Sequence, residues 1–235
     1  MRVQGNESAE CNVHSYRRLW DAMQLSVGIL AGGKKSSGYK NKALDEVNNL
    51  RMLKQLIGEM GSFSEVLISD TCFGRYEALG QQVLYDEHED IGPMGGLFQI
   101  IRHAASPYIF VCAADMPFVN RELVEYMTEF VTEEYDCYVI ADEKRLQPLC
   151  AIYSKEILAV IEELILAGRY RLSEIFHRVR TCFIRFSTSG FSPKLIRNIH
   201  VRNQTVRYRV TGIATETVLR ESGKFYLLIR VINGY

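Results

Sequence analysis

Two glycines and several lysines follow the first apolar segment of the chain, and together they have the chemistry to bind a phosphate. The segment Leu25–Leu30 ends shortly before Gly32 and Gly33. Lysines follow, among them Lys34, Lys40 and Lys42. Glycine lets a backbone approach a ligand closely, and backbone N–H groups with ammonium groups attract anions. The same pattern also fits an ordinary strand-to-loop turn with solvated lysines, because glycine-rich fragments match by chance.

A single carboxylate follows the most apolar stretch of the sequence. Within Tyr108–Val119 the pattern predicts a buried strand that ends on Asp115, which is followed directly by Met116 and Pro117. In open parallel sheets, ligands bind beyond the carboxyl ends of the strands. A carboxylate at this position would therefore face a bound ligand. The alternative is an aspartate that caps a turn or the next helix.

A second region with suitable chemistry lies between Asp86 and Leu97. Asp86 opens an acidic loop, and Gly92-Pro93 begins a turn that leads into an apolar helical pattern. Gly95 lies at this predicted helix start. Helix amino termini attract anions because their first N–H groups have no partner within the helix. Asp86 could contact a ligand bound near this helix start, or its carboxylate could simply be solvated in the acidic loop.

Strands and helices alternate along the middle of the chain and must position these residues. Further strands are predicted at Glu65–Ser69, Gln82–Tyr85, Asp136–Ala141, Gln147–Tyr153 and Thr181–Phe186. Besides the helix after Ile91, helices are predicted at Leu50–Met60, Phe73–Gly80, Asn120–Val131, Ser154–Leu166 and Leu172–Val179. This alternation predicts an α/β fold with a Rossmann-like, mostly parallel sheet and helices on both of its faces.

The two ends of the chain are predicted to differ from this middle part. Residues 1–24 form an amino-terminal extension whose spacing suits a short amphipathic helix, and residues 25–204 form the main domain. Residues 205–235 form a β-rich tail with strand-like segments at 205–211 and 225–232, joined by a polar stretch that contains Gly223. We interpret the tail as part of a further domain, a strand pair that docks on another chain, or an unrelated hairpin.

Composition limits the classes of function. The chain has 235 residues, of which 47% are hydrophobic and 24% charged, as in a globular protein. Lys and Arg number 28 and so do Asp and Glu, so no overall field attracts nucleic acid or an anionic membrane. The six cysteines show no C-x-x-C spacing, which indicates free thiols in a reducing compartment. No apolar run is long enough for a membrane span, so we predict a cytoplasmic protein.

Several strand-end motifs, taken together and in this order, resemble the molybdenum cofactor guanylyltransferases and their nucleotidyltransferase relatives. The motifs are Leu30-Ala-Gly-Gly33, Lys42-Ala-Leu44, Gly92-Pro-Met-Gly-Gly-Leu97, Ala114-Asp-Met-Pro-Phe-Val119 and Gln147-Pro-Leu149. The resemblance covers roughly residues 25–200. It is more specific than any single motif, because each motif lies at a predicted strand end.

The resemblance implies a reaction and a set of site residues. Members of this family transfer GMP from GTP to the terminal phosphate of molybdopterin and release pyrophosphate. Carried over residue by residue, the catalytic positions are Lys42 and Asp115, and Asp115 is also the ligand of Mg2+. The nucleotide-binding positions are Leu30, Ala31, Gly32, Gly33, Lys42, Ser69, Asp86 and Gly95. On the side of the acceptor, Asn198 matches the first asparagine of the family's Asn-x-Asn-Thr-Pro turn.

The chain also departs from the family pattern. Ser37 stands where the family has an arginine in the glycine loop, and a serine cannot bind phosphate with the two-pronged geometry of a guanidinium group. Two alternatives therefore remain beside the guanylyltransferase: a cytidylyltransferase acting on the same or another phosphorylated acceptor, and a catalytically silent nucleotide-binding module. The tail also faintly resembles the opening strand of formate dehydrogenase accessory proteins, which suggests an accessory protein of molybdoenzymes as a partner.

Overall fold

A computed structural model describes the backbone of residues 25–32, 42–87, 90–142, 145–198, 214–221 and 224–231, and the side chains of residues 25–32, 49–87, 90–141 and 145–198. Its strands are β1 (Leu25–Leu30), β2 (Glu65–Asp70), β3 (Gln82–Tyr85), β4 (Tyr108–Ala113), β5 (Cys137–Asp142), β6 (Arg145–Ser154), β7 (Thr181–Arg185), β8 (Ala214–Glu221) and β9 (Lys224–Val231). Its α-helices are α1 (Lys42–Met60), α2 (Pro93–His103), α3 (Arg121–Thr128) and α4 (Leu158–Leu166). Short 3-10 helices span Glu77–Leu79, Lys155–Ile157, Leu172–His177 and Phe186–Thr188.

The strands form one sheet in the order β3-β2-β1-β4-β6-β5-β7-β9-β8. β1 pairs in parallel with both β2 and β4, and β2 pairs in parallel with β3. β6 lies antiparallel between β4 and β5, which makes β5 and its parallel neighbour β7 run in the same direction as β1. The predicted α/β fold with a mostly parallel sheet is therefore confirmed.

Helices cover both faces of this sheet, as predicted. On one face, α1 and α3 supply Leu53 and Leu123 to an apolar cluster that also contains Ile29 of β1. On the other face, α2 and α4 pack Ile100 and Ile161 against the opposite side of the sheet. All six residues of β1 are buried, because the strand is covered on both faces and flanked on both sides.

Some element bounds differ from the prediction for physical reasons. β4 ends at Ala113, two residues before Asp115, because the backbone turns there and the N–H of Met116 donates to the carbonyl of Ala113 (3.1 Å). The predicted helix Phe73–Gly80 is wrong apart from the short 3-10 turn Glu77–Leu79. The helix predicted from Leu50 is instead the long α1, which begins at Lys42. Leu44 and Val47 continue the apolar spacing of Leu50 and Leu53 towards the start of α1, a signal that the prediction of a helix from Leu50 left out.

The end of the chain continues the same sheet. β8 and β9 pair in antiparallel fashion, and β9 also pairs with β7. β9 overlaps the predicted strand at 225–232, whereas the predicted strand at 205–211 and the extension at 1–24 lie outside the described residues. The domain boundaries at residues 24 and 204 stay predictions.

Within the described part of the chain, no helix is long and apolar enough to cross a membrane. The five cysteines described there are free, and four of them are buried. Burial raises the pKa of the Cys112 thiol to about 12, so this group is a packed apolar residue rather than a nucleophile.

Candidate functional site

The carboxyl end of β1 is the centre of the site, because its backbone is bonded to both neighbouring strands. The N–H groups of Ala31 and Gly32 both donate to the carbonyl oxygen of Ser69, at 2.8 and 3.1 Å. On the other side, the N–H of Ala114 donates to the carbonyl of Leu30 at 2.9 Å. The start of the glycine loop is thus held between the ends of β2 and β4.

The glycine at position 32 is required by close packing against the segment after β2. A Cβ atom built on Gly32 would lie 3.0 Å from the backbone nitrogen of Thr71, which is tighter than side chains normally tolerate. Gly33 and the rest of the predicted phosphate loop up to residue 41 lie outside the described residues. Lys42 is the first residue of α1, so a helix amino terminus directly follows this loop.

The ends of β2 and β3 bring two of the predicted nucleotide-binding residues together. Ser69 Oγ donates a hydrogen bond to Asp86 Oδ1 at 3.1 Å, although the two residues are 17 positions apart. Ser69 is fully buried, whereas Asp86 is half-buried just after β3. A carboxylate oriented by a buried hydroxyl is a well-placed acceptor for N–H groups of a ligand.

The first turn of α2 lies directly over this pair, and glycine makes that contact possible. A Cβ atom on Gly96 would lie 2.6 Å from Ser69 Oγ and 2.4 Å from Leu30 Cδ2, so no larger residue fits there without displacing them. A Cβ atom on Gly95 would lie 3.3 Å from Asp86 Oδ2. The predicted residues Leu30, Ser69, Asp86 and Gly95 therefore lie at one place, where the ends of three strands meet the amino terminus of α2.

Asp115 lies on the other side of the β1 end, and the structure pairs it with Asn198. Asn198 Nδ2 donates to Asp115 Oδ1 at 2.8 Å across 83 positions of sequence. The predicted metal ligand, Asp115, and the predicted acceptor-side residue, Asn198, are therefore direct neighbours. The N–H of Ala114, which bonds to Leu30, connects them to the nucleotide side of the site.

The described residues around Asp115 suit a hard divalent cation such as Mg2+. No group of three or more His, Cys, Asp or Glu side chains with metal-binding geometry occurs among the described residues. Zn2+ normally requires such a group, whereas Mg2+ is commonly held by one or two carboxylates together with phosphate oxygens and water. A partly exposed Asp115 beside a strand end meets the second requirement.

The sequence prediction missed a charged pair at the end of β2. The Asp70 side chain is fully buried, and its Oδ1 accepts a hydrogen bond from Thr71 N (2.8 Å) and faces Arg75 Nη1 (3.4 Å). Burial raises the pKa of Asp70 above its ordinary value, and the opposing effects of Arg75 and the backbone N–H groups of Thr71 and Cys72 do not cancel it. A carboxylate that ends an apolar strand was the available signal, and it is the same signal that identified Asp115.

Comparisons with known proteins agree with this arrangement. The family model described as the MobA-like NTP transferase domain matches residues 27–182. A protein of Clostridium perfringens strain ATCC 13124 is 32% identical over 162 residues, which is 68% of this chain and 78% of that protein. A protein of strain SM101 is 31% identical over 193 residues, which is 81% of this chain and 93% of that protein. Both are named as probable molybdenum cofactor guanylyltransferases.

Solved structures show the same fold. A crystal structure of a protein from Aquifex aeolicus VF5 matches with a TM-score of 0.66 and 27% identity, over 75% of this chain and 94% of that one. The molybdopterin-guanine dinucleotide biosynthesis protein A of Archaeoglobus fulgidus matches with a TM-score of 0.57 and 20% identity, over 73% of this chain and 89% of that one. At this lower identity the second match supports the fold alone.

Proposed function

Because the chain belongs to the MobA-like NTP transferase family and is thus a nucleotidyltransferase, we propose that it transfers GMP from GTP to the terminal phosphate of molybdopterin and releases pyrophosphate. The relatives' names suggest this substrate pair, and the geometry at the carboxyl ends of β1, β2 and β3 supports it. The individual site roles below are part of the proposal.

The observation that carries the choice of base is the hydrogen bond between Ser69 and Asp86. Guanine presents two neighbouring donors, N1–H and the exocyclic N2–H2, on its Watson–Crick edge, and one carboxylate can accept from both. Cytosine presents only one donor group on that edge, next to an acceptor that a carboxylate repels. An Asp86 carboxylate held by a buried hydroxyl therefore favours guanine.

The phosphates of the nucleotide would lie along the glycine loop. The backbone at Ala31 and Gly32 fixes where this loop leaves β1, and α1 begins at Lys42, where the loop ends. Exposed N–H groups at a helix amino terminus favour negative charge. Lys42 adds a cation whose charge would stabilise the pyrophosphate as it leaves.

The reaction needs no protein nucleophile. A phosphate oxygen of the acceptor attacks the α-phosphorus of GTP, the bond from that phosphorus to the bridging oxygen breaks, and pyrophosphate leaves with the electron pair. In such transfers the protein contributes mainly by positioning the reactants and by neutralising charge. Asp115 would hold Mg2+, which neutralises the phosphates and aligns them when bound. Asn198, beside Asp115, would lie on the side of the acceptor.

The direct test is a reaction that contains the protein, molybdopterin, MgCl2 and either GTP or CTP. We expect pyrophosphate release and a guanine dinucleotide product with GTP, and much less turnover with CTP. Turnover with CTP alone would replace the guanine assignment by a cytidylyltransferase. Nucleotide-dependent thermal stabilisation without pyrophosphate release would indicate a silent binding module instead.

A matched pair of variants tests the role of Asp86. Asp86→Asn keeps the size of the side chain but replaces one acceptor oxygen by a donor, so we expect binding of GTP to weaken more than binding of CTP. Glu87→Gln, at the exposed neighbouring position that pairs with Arg102, serves as the control for a general change of charge. Equal weakening by both variants would contradict the proposed contact.

A further inference from the structure

The contact between Asn198 and Asp115 joins two segments that are far apart in the sequence, and each segment is fixed separately. On the Asp115 side, the backbone is held on both sides of the aspartate: Ala114 N donates to Leu30 O, and Met116 N donates to Ala113 O. The Met116 side chain is fully buried. These contacts fix the backbone of Asp115 beside the end of β1.

On the other side, residues 191–198 are anchored in the core by apolar contacts. The ring of Phe191 packs edge-on against Tyr126 of α3, with 5.4 Å between the ring centroids, and Ile196 is buried in the cluster below β4. Turns formed by the N–H groups of Leu195 and Arg197 shape the segment between these anchors. Asn198 therefore reaches Asp115 from a fixed position and not from a free tail.

The chemistry of the donor matters as much as its position. A lysine or arginine at this distance would neutralise the Asp115 carboxylate and compete with a cation for it. An amide N–H fixes the orientation of the carboxylate and leaves its charge unchanged. Partners of this kind orient carboxylates that bind metals, and their removal typically weakens metal binding about 10- to 100-fold.

We propose that Asn198 is a positioning residue, which orients the Asp115 carboxylate for a divalent cation bound together with the nucleotide. This inference rests on the proposed nucleotidyl transfer for its role in the reaction. Its test by cation binding does not depend on that reaction. The proposed role of Asn198 differs from contact with the acceptor, because the side-chain N–H is directed at Asp115.

The experiment compares Asn198→Ala and Asn198→Leu with the wild type. Leucine keeps the number and branching of the side-chain heavy atoms of asparagine but has no N–H donor, whereas alanine removes them, so the pair separates the hydrogen bond from packing. We expect both variants to raise the Mg2+ concentration for half-maximal pyrophosphate release about 10-fold. At saturating Mg2+, we expect kcat to return close to the wild-type value.

Direct cation binding provides a second readout that does not depend on turnover. Free Mn2+ is measured by electron paramagnetic resonance while it is titrated into protein with GTP and, in parallel, with CTP. We expect the Kd for Mn2+ to rise about 10-fold in both Asn198 variants. Asn120→Ala is the matched control, because Asn120 caps α3 through a bond to Leu123 N at 3.1 Å and its loss should lower stability without changing the Kd.

The possible failures point to different conclusions. A wild-type protein that binds Mn2+ with a nucleotide more tightly than the Asn198 variants, but forms no dinucleotide with molybdopterin, would support the positioning role and contradict the proposed substrates. An unchanged Kd for Mn2+ in both Asn198 variants would overturn the positioning role, whatever the activity. A fall in kcat at every Mg2+ concentration, without a change in the half-saturation point, would also overturn it.

Discussion

The two ends of the parallel strands hold polar side chains in opposite ways. We call the side of the sheet where these strands begin the amino edge, and the side where they end the carboxyl edge. At the amino edge, Glu65 Oε1 accepts hydrogen bonds from Ser26 Oγ and from the N–H of Ala105 (2.6 Å). Asp136 accepts three hydrogen bonds from Arg180, two from the guanidinium (3.1 and 2.7 Å) and one from the backbone N–H (3.0 Å). Each of these carboxylates is satisfied by partners from the protein itself.

At the carboxyl edge, the buried carboxylate of Asp70 is less completely satisfied. Asp70 Oδ2 is buried and has no hydrogen-bond partner among the described residues. Ser69 and Asp86 bond to each other, and Asp115 is contacted by a neutral amide from a distant segment. An unsatisfied buried oxygen such as Asp70 Oδ2 is uncommon in folded proteins and is often found at functional sites.

The pKa shifts of two aspartates express this difference. Burial tends to raise the pKa of Asp136, but the hydrogen bonds from Arg180 outweigh burial and hold the pKa below its ordinary value. For Asp70 burial dominates, and the pKa is raised. At these two positions, the cost of burying a carboxylate is outweighed at the amino edge but not at the carboxyl edge, and uncompensated burial of this kind is common at functional sites.

The largest effect is expected for Asp115→Asn at the carboxyl edge. The variant keeps the shape of the side chain but loses the negative charge, so we expect pyrophosphate release to fall about 100-fold or more. The melting temperature should change little, because the backbone contacts of Ala114 and Met116 remain. Asp136→Asn at the amino edge is the control and should keep wild-type kcat. Wild-type activity in Asp115→Asn would remove the functional distinction between the edges.

A pair of glycine substitutions tests packing at the carboxyl edge. In Gly96→Ala the new methyl group collides with Ser69 and Leu30, and we expect a loss of about 2 kcal/mol in stability together with weaker GTP binding. Gly58→Ala, on α1, is the control, because nothing lies within 4 Å of its new Cβ atom. We expect that control to gain up to about 1 kcal/mol from the higher helix propensity of alanine. Urea unfolding and GTP titration measure both effects, and equal stability of the two variants would contradict the close contact.

These contacts show how far sequence reasoning reached. The alternation of strands and helices predicted the α/β fold, and the family resemblance assigned Ser69, Asp86 and Gly95 to the nucleotide. The structure brings these three residues together, because parallel strands end on the same side of the sheet. The hydrogen bond from Asn198 to Asp115 was not predictable from spacing, since 83 residues separate the partners and only the packing of residues 191–196 aligns them. The Asp70–Arg75 pair was missed because the predicted strand ended at Ser69 and the segment after it was predicted to be a helix.

The smaller predictions concern the dependence of stability on pH. Since the pKa of Asp136 is lowered in the folded state, the stability it contributes is present above the ordinary carboxyl pKa of about 3.9 and is lost as the pH falls through the lower folded value. We expect Asp136→Asn to cost about 1 kcal/mol at neutral pH, because the exposed Arg180 is screened by solvent, and to cost less in acid. Urea unfolding at several pH values measures this, and a cost that grows in acid would contradict it.

Asp70→Asn should show the opposite sign. Because the pKa of Asp70 is raised in the folded state, its protonated form favours folding at low pH, and this contribution is lost as the pH rises through the folded value. Replacement by the neutral amide should therefore gain up to about 1 kcal/mol at neutral pH and little in acid. The same unfolding series measures it, and a variant that is destabilised equally at all pH values would show that the pair with Arg75 dominates.

The position of β1 between β2 and β4 also has a consequence for folding. Leu30 is aligned with Ser69 on one side and with Ala113 on the other, so β1 is paired with two strands that are distant in sequence. Such pairings form only after long loops have closed, and proteins rich in them fold slowly. The site at the end of β1 is therefore complete only when β1, β2 and β4 are paired, and binding of a nucleotide would report that assembly.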